Sequence, residues 1–497
     1  MNNMDKLAEL QSRRASIEEA CKGSNDKNSA RERIKLLFDE GSFVEINAFV
    51  TGSDAAEGVV SGYGTVNDRL VYAYSQDYSA TGGALSGANA KKITYTLDMA
   101  AKMGAPVVSI LDSKGAKIAE GIEALAAIGE IYAKNTELSG LVPQISVVLG
   151  DCAGGAVYTP AISDFVFMSE KNANMYINSP SVISGNSGEE CTVEEVGSAM
   201  ACAKNGSADF VCSTEEECFT SVKKLLDYLP SNNLEGTPVE IPTDDINRIS
   251  ENIINMIPDN GECFDIKNII KEVADNTNLY ETSAEYAKSI VTGFVKLNGM
   301  TVGVVANNSE YYNGDICIKA AKKATKFINF CDSFNIPVVT FVDCGGFAAC
   351  KCQENNGLSD AAATLLATYA SVTVPKVTVV VRKAYGSAYL AMGSKVCGAD
   401  MVFAYPTAEI SITSPEVAAN IMYSEEISAS SDPIACRAQK IDEYKNIVAA
   451  PYTAAAKGYI DDVIEPDSTR PRLISALEML SAKRVNSVAK KHINMPL

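Results

Sequence analysis

The sequence predicts an α/β protein made of two homologous halves, each a sheet whose strands are joined by crossover helices. Three observations carry this. Strand-like runs alternate with helical ones, the order that builds a sheet with helices packed on it. Blocks of the first half recur in the second at a nearly fixed spacing. A strand ending in a glycine-bearing turn, VPQISVVLGDCAGGAVYTPAISDFVFM over 142–168, returns as VPKVTVVVRKAYGSAYLAM over 374–392.

Taken in order, residues 4–22 carry apolar positions at helical spacing, and after the polar break GSNDKNS a second helix begins at ARERIKLLFDEGSF. Gly41 suits its end. From Gly58 the period becomes that of strands: VVSGYGTV, a turn at Asn67-Asp68 and RLVYAYSQD form a hairpin. A helix over KKITYTLDMAAKMG and a strand over APVVSILDSKG follow, then helical residues from Ile118 to about Ser139. Pro143 opens the β-branched strand and the Cys-Ala-Gly-Gly turn. Beyond it come strand-like FVFM and MYINSP, then a Gly, Glu and Thr-rich region with helices to about Tyr228. The stretch LPSNNLEGTPVEIPTDD, rich in Pro, Asn and Asp, reads as a linker, which gives domains over 1–238 and 239–497.

The repeat keeps register through three blocks. VSGYGTVNDRLVYAYSQD from Val60 matches VTGFVKLNGMTVGVVANN from Val291, an offset of 231 residues. At the same offset Lys91–Gly115 meets Lys322–Gly346 with 8 identities in 25 and no gap. One inserted residue later, Val142–Tyr158 meets Val374–Leu390 at offset 232. Chance rarely holds register this long, so the chain is a duplication with two domains in approximate symmetry.

Composition narrows the function. At 497 residues the chain exceeds one ordinary core, and 46% hydrophobic with 21% charged residues is the balance of a soluble globular enzyme. No apolar run reaches membrane-spanning length and the N-terminus has no signal-peptide core, which places the protein in the cytoplasm. The net charge of −19 argues against a nucleic-acid partner, which calls for basic stripes, yet permits an anionic ligand such as a CoA ester held by local Lys and Arg groups. The 14 cysteines lack disulfide or zinc-ribbon spacing and are expected to be mostly reduced, buried apolar residues. Cys350 and Cys352 are the closest pair, and no metal site is expected. A single histidine, His492, lies in the C-terminal tail, so neither a His-dependent triad nor a His metal site is expected.

Each half carries two glycine-bearing turns after strands: Gly115-Ala116 and Gly154-Gly155, then Gly346-Phe347 and Gly386-Ser387. Strand ends that run into helix starts present free backbone N–H groups, which bind anions and stabilise developing oxyanions. The plainer alternative is that these glycines only permit tight turns and close packing. Asp112, Ser113, Glu120 and Asp343 lie near the turns, but each equally suits a capping role. Chemistry run by backbone amides, with a cofactor as base, suits an enolate made from a thioester.

At these motifs the sequence resembles the carboxyltransferase subunit of biotin-dependent acyl-CoA carboxylases and their decarboxylase relatives, of the propionyl-CoA carboxylase β and methylmalonyl-CoA decarboxylase α type. Matching stretches include GVVSGYGTVNDRLVYAYSQDYSATGGALS, VPQISVVLGDCAGGAVYTPAISDFVFM, FCDSFNIPVVTFVD, VPKVTVVVRKAYGSAY, PYTAAAKGYIDDVIEP and KKHINMPL, across nearly the whole chain. The resemblance implies two crotonase-like ββα-spiral domains in a hexamer, a trimer of dimers, with active sites between the N-domain of one subunit and the C-domain of another. It implies that Gly115, Ala116, Gly154 and Gly155 hold the enolate oxygen of a short acyl-CoA, and that Gly346, Phe347, Gly386 and Ser387 face the biotin ureido oxygen. Lys117, Ala153, Tyr385 and Leu390 fall at the flanking cofactor-binding positions. The biotin would arrive on a separate carrier, since the chain has no Met-Lys-Met attachment site and no ATP-binding glycine-rich loop. The implied partners are a biotin carboxyl carrier protein, with a biotin carboxylase or membrane decarboxylase subunits, and further copies of this chain or a paralogue.

The sequence also departs from that family. DSKGAKIAEG stands where DSGGARIQEG is usual, so Lys114 replaces a glycine and Lys117 an arginine. Ser387 replaces the second glycine of AYGGAY, and VDCGGFAACKCQENNGLSDAAATLL lacks the usual Pro, Arg and His. Two alternatives follow from these changes: a CoA-ester hydratase, isomerase or thioesterase on the same fold, using Glu120 or Asp343 as acid or base, and a non-catalytic subunit paired with an active paralogue.

Overall fold

The period-2 and period-3.6 segments assemble into two units, Met1–Gly236 and Thr237–Leu497. The structure, a computed structural model, describes residues 2–20, 28–51, 58–259, 261–485 and 492–495. The strands of the first unit are β1 (Val44–Ile46), β2 (Val59–Val66), β3 (Arg69–Gln76), β4 (Val107–Ser113), β5 (Gln144–Ala153), β6 (Phe165–Ser169), β7 (Asn174–Tyr176) and β8 (Phe210–Cys212). They form one sheet in the order β1-β2-β3-β4-β5-β6-β8, with β7 beside the end of β5. The hairpin pairs antiparallel, and from β3 onward every pairing is parallel. Residues 144–150 of β5 are all buried, as a parallel strand covered on both faces must be, which is why this stretch is an unbroken apolar run rather than an alternating one.

The second unit repeats this plan with β9 (Tyr280–Thr282), β10 (Ile290–Leu297), β11 (Met300–Asn307), β12 (Val338–Cys344), β13 (Lys376–Tyr385), β14 (Met401–Ala404), β15 (Glu409–Ser411) and β16 (Asp462–Val463). Its order is β16-β14-β13-β12-β11-β10-β9, with β15 beside the end of β13. The equivalence extends to irregularities. Between β4 and β5 the register passes from Leu111↔Val148 to Ser113↔Cys152, and between β12 and β13 from Val342↔Val380 to Cys344↔Ala384. The same extra length on the same strand swings each glycine turn away from the sheet and opens room for β7 or β15 to pair with the strand end.

Crossover helices are fixed by their ends. Gly87–Met103 begins at Ser86, whose hydroxyl accepts from Asn89 N–H, and stops at Gly104 in the left-handed region with φ 61°. Lys92 on this helix is buried and donates to the Val59 carbonyl at 2.9 Å; its counterpart Lys323 donates to Tyr286 and Ile290 carbonyls at 2.9 and 2.8 Å. A buried lysine tying helix to hairpin is thus part of the repeated unit.

Several sequence expectations are corrected. The region read as helical up to Tyr228 contains strand β8, and the outer strands β1, β9 and β16 are too short for any period to be read. Of the thirteen described cysteines, all free, six are buried, four half-buried and three exposed, so burial does not account for most of them. Cys350 and Cys352 are both exposed.

Candidate active site

In the first unit β4 runs into Gly115-Ala116 and β5 into Gly154-Gly155. Leu85 N–H donates to the Gly115 carbonyl at 2.8 Å and Lys117 N–H to the Leu85 carbonyl at 2.9 Å, so the first turn is pinned from the side. Gly115 has φ 101°, and a Cβ there would lie 3.0 Å from the Ala153 carbonyl. The two turns therefore lie side by side. Gly154, at φ 59°, has open space around its Cα, leaving room for a ligand at the turn. Gly154 and Gly155 open the short helical turn Gly154–Val157, whose leading N–H groups have no acceptor within it.

The second unit reproduces this. Ile316 N–H donates to Gly346 and Ala348 N–H to Ile316, both at 3.0 Å, and Ile316 bridges Phe347 as Leu85 bridges Ala116. Gly386, at φ 60°, opens the helix Gly386–Ala391. Two cavities adjoin these turns. One of about 660 Å³ is mainly apolar, with Gly386, Ser387, Leu390, Ile410 and Ile412 on its wall. The other, about 830 Å³, is polar and holds Gly345, Asp315, Lys383, Tyr385 and Glu409. Burial pushes the Asp315 carboxyl above its usual range, while Lys383 acts the other way.

Charge differs between the halves. Lys114 and Lys117 flank Gly115-Ala116; the Lys114 ammonium lies 4.8 Å over the Tyr78 ring and is held protonated by the Tyr78 hydroxyl. Lys117 sits 3.3 Å from Glu120. The polar cavity of the second half instead carries Asp259, Asp315, Glu409 and Glu416 beside Arg382, Lys383 and Lys445, a near balance that offers a polyanion no net positive charge.

The carboxylates near the turns prove structural. Glu120 accepts from Gly87 N–H at 2.8 Å at the start of Gly87–Met103, besides pairing with Lys117. Asp343 is buried against Arg382, with Nη2–Oδ2 at 2.9 Å. Asp112 is buried against Arg33 at 3.1 Å, and Ser113 Oγ accepts from Gly115 N–H at 3.1 Å. Each is thus engaged with a backbone or side-chain partner.

The predicted residues fall into two clusters, Gly115, Ala116, Lys117, Ala153, Gly154 and Gly155 in one unit, and Gly346, Phe347, Tyr385, Gly386, Ser387 and Leu390 in the other. Sequence reasoning missed what braces them. The Tyr132 hydroxyl donates to the Gly155 carbonyl. Tyr385 donates to Glu409, and burial first, then Glu409, pushes its phenol well above the ordinary tyrosine range. Glu409 in turn meets Lys445 at 2.6 Å. Tyr132 stands in GEIYAKN, a stretch that shares in the family resemblance but whose residues the sequence alone gives no role.

The family model for the carboxyl transferase domain matches residues 22–495. The chain is 45% identical to the methylmalonyl-CoA decarboxylase subunit alpha of Propionigenium modestum, over 95% of this chain and 94% of that one. It is 43% identical to the carboxyltransferase subunit of propionyl-CoA carboxylase of Haloferax mediterranei, over 100% of both. Among solved structures, transcarboxylase 12S, described as a hexamer assembly with methylmalonyl-coenzyme A and methylmalonic acid bound, superposes with a TM-score of 0.96 at 40% identity, covering 100% of this chain and 99% of that one.

Proposed function

Because this chain belongs to the carboxyl transferase family and has its crotonase-like fold, we propose that it moves a carboxyl group between biotin on a separate carrier and the α-carbon of a short acyl-CoA. Propionyl/methylmalonyl-CoA and acetyl/malonyl-CoA are the substrate pairs in this reading. The observation that carries the reading is the pair of glycine turns set side by side at the ends of β4 and β5, with the same pair repeated at β12 and β13.

The first unit takes the thioester. Amides at Ala116, Gly154 and Gly155 hold its oxygen where negative charge grows as the α-carbon becomes an enolate, while Gly115, whose N–H is given to Ser113 Oγ, shapes the turn. One such donor is worth about 2.7–4 kcal/mol of transition-state stabilisation. Lys114 and Lys117 supply positive charge at the rim, suited to the phosphates of coenzyme A. The second unit takes the ureido ring. Gly346, Phe347, Gly386 and Ser387 offer amides to its oxygen, and the apolar cavity of about 660 Å³ beside Gly386 and Ser387 fits a neutral bicyclic group. When bound, biotin supplies the transferable carboxyl group and the base for the α-proton. The chain then needs no side-chain base, in keeping with the structural engagement of Glu120 and Asp343. Decarboxylation of a malonyl-type ester is the same path reversed.

The partners in this reading are a biotin carboxyl carrier protein, a biotin carboxylase or membrane decarboxylase subunits, and five further copies of the chain in a hexamer. Among the described residues no helix is long and apolar enough to cross a membrane, and we place the protein in the cytoplasm. The test is to mix the purified chain with free biotin or a biotinylated carrier and malonyl-CoA or methylmalonyl-CoA. Biotin-dependent loss of the ester's carboxylate is expected; no turnover with any short malonyl-type ester would contradict the reading.

A further inference from the structure

Tyr132 lies on the helix Ile122–Leu138, behind the second glycine turn of the first unit. Its hydroxyl donates to the Gly155 carbonyl, which also accepts from Tyr158 N–H, so both lone pairs of that oxygen are used. A Cβ on residue 155 would come within 3.0 Å of the same hydroxyl, which explains the glycine there. The Tyr132 ring packs on Tyr158 with centroids 5.0 Å apart. Burial, then Tyr158, pushes the phenol up to about 12, so it keeps its proton across any ordinary working pH.

The second unit carries a different residue at this place. At the equivalent position, 232 residues on, stands Thr364, whose hydroxyl donates to the Asp360 carbonyl of its own helix at 2.7 Å. There the turn is held from another side, through Tyr385, Glu409 and Lys445.

We propose that Tyr132 is a positioning residue for the carboxyl transfer described above: by anchoring the Gly155 carbonyl it fixes the Gly155–Ala156 peptide plane, and with it the turn that carries the Gly154 and Gly155 amides. Glycine has the widest choice of backbone angles, and two in succession leave a turn free to rotate its peptides. A preorganised donor is useful only if it does not rotate as charge develops. The hydroxyl supplies that restraint from a rigid helix, and the inference rests on the thioester being the ligand of this turn.

The test is Tyr132→Phe, which removes one oxygen and keeps the ring. Loss of a neutral hydrogen bond of ordinary strength predicts a fall in kcat of about five- to tenfold, with KM for methylmalonyl-CoA changed less than about twofold. A binding comparison separates positioning from packing. Wild type should bind propionyl-CoA more tightly than S-propyl-CoA, the thioether that lacks the carbonyl oxygen, and Tyr132→Phe should lose that preference while keeping its affinity for the thioether. Thr364→Ala should change neither quantity. Unchanged kcat and an unchanged preference in Tyr132→Phe would overturn the proposal, as would an equal loss of affinity for both compounds. A wild type that shows the thioester preference without any turnover would defeat the proposed reaction, yet the affinity ratio would still decide the role of Tyr132.

Discussion

Arg382 and Asp343 face each other inside the second half, with Nη2–Oδ2 at 2.9 Å and Nε–Oδ1 at 3.2 Å, both side chains almost wholly buried. The equivalent residues of the first half are Gly150 and Asp112. A Cβ on Gly150 would fall 2.0 Å from the Asp112 carboxylate, so no side chain fits there. The charge is met instead by Arg33, from the helix Ala30–Leu37, at 3.1 Å, and Arg33 also binds Glu215 at 2.8 Å. Both halves keep the buried aspartate beneath the glycine turn and neutralise it from different places, which lets the Ala30–Leu37 helix and the Glu215–Leu226 helix be tied to the first sheet.

Removing one partner of a buried pair strands a charge, which typically costs about 3–5 kcal/mol. Arg382→Met should therefore lower stability by that order, read as a shift in the urea midpoint. Arg33→Met should be at least as harmful, since it strands both Asp112 and Glu215.

Gly386→Ala should act on the biotin side alone. The residue has φ 60°, and a Cβ would meet the Ile412 carbonyl at 3.1 Å. The left-handed backbone costs an L-residue roughly 1–2 kcal/mol, which would turn or displace the following amides. The expected result is a fall of about tenfold or more in kcat/KM for the biotin carrier with unchanged affinity for the acyl-CoA, measured by calorimetric titration.

Glu120 distinguishes carboxyl transfer from acid–base chemistry on the same fold. As a group engaged with Gly87 N–H and Lys117, it should tolerate Glu120→Gln with kcat within about twofold. Glu120→Ala should lose about 1 kcal/mol of stability, the usual scale for a lost helix cap. A loss of activity of a hundredfold or more in Glu120→Gln, with stability intact, would revive the hydratase reading.

Lys376 makes a prediction about pH. It is buried, donating to the Tyr369 and Val372 carbonyls at 2.7 and 2.8 Å, and burial first, with Lys483 next, lowers its pKa from 10.5 to about 8. The unfolded chain thus holds this proton more tightly than the native state. Below pH 8 both states are protonated and the full burial cost is felt; between pH 8 and 10.5 the native state sheds the proton and the cost is relieved. Stability of the wild type relative to Lys376→Met should rise through that window by on the order of 1–2 kcal/mol, as followed by urea titrations at each pH.

Much of this was legible in the sequence because it was repeated. Strand and helix periods located the hairpins, the crossover helices and β4, β5, β12 and β13, and the nearly constant offset exposed the duplication before any fold was known. The paired turns were legible because glycines serve a backbone need that leaves a mark in composition. What braces the turns was not. Arg33 and Asp112 lie 79 residues apart and Arg33 and Glu215 lie 182 apart, and a pairing across that distance has no local pattern. Tyr132 sits in a helix whose period explains an aromatic residue without reference to any turn. Strands of two or three residues, such as β1 and β16, carry too few positions for a period. Glu120 and Asp343 stayed ambiguous because a capping carboxylate and a catalytic one look alike until their partners are seen.

The central claim is that the thioester oxygen rests on the two adjacent turns of the first half, and a structure of the hexamer with propionyl-CoA bound tests it most directly. The account predicts that oxygen at about 2.7–3.1 Å from backbone amides of the Gly115-Ala116 and Gly154-Gly155 turns. A thioester whose oxygen meets neither turn, or which lies against Gly346-Phe347 and Gly386-Ser387 instead, would contradict it.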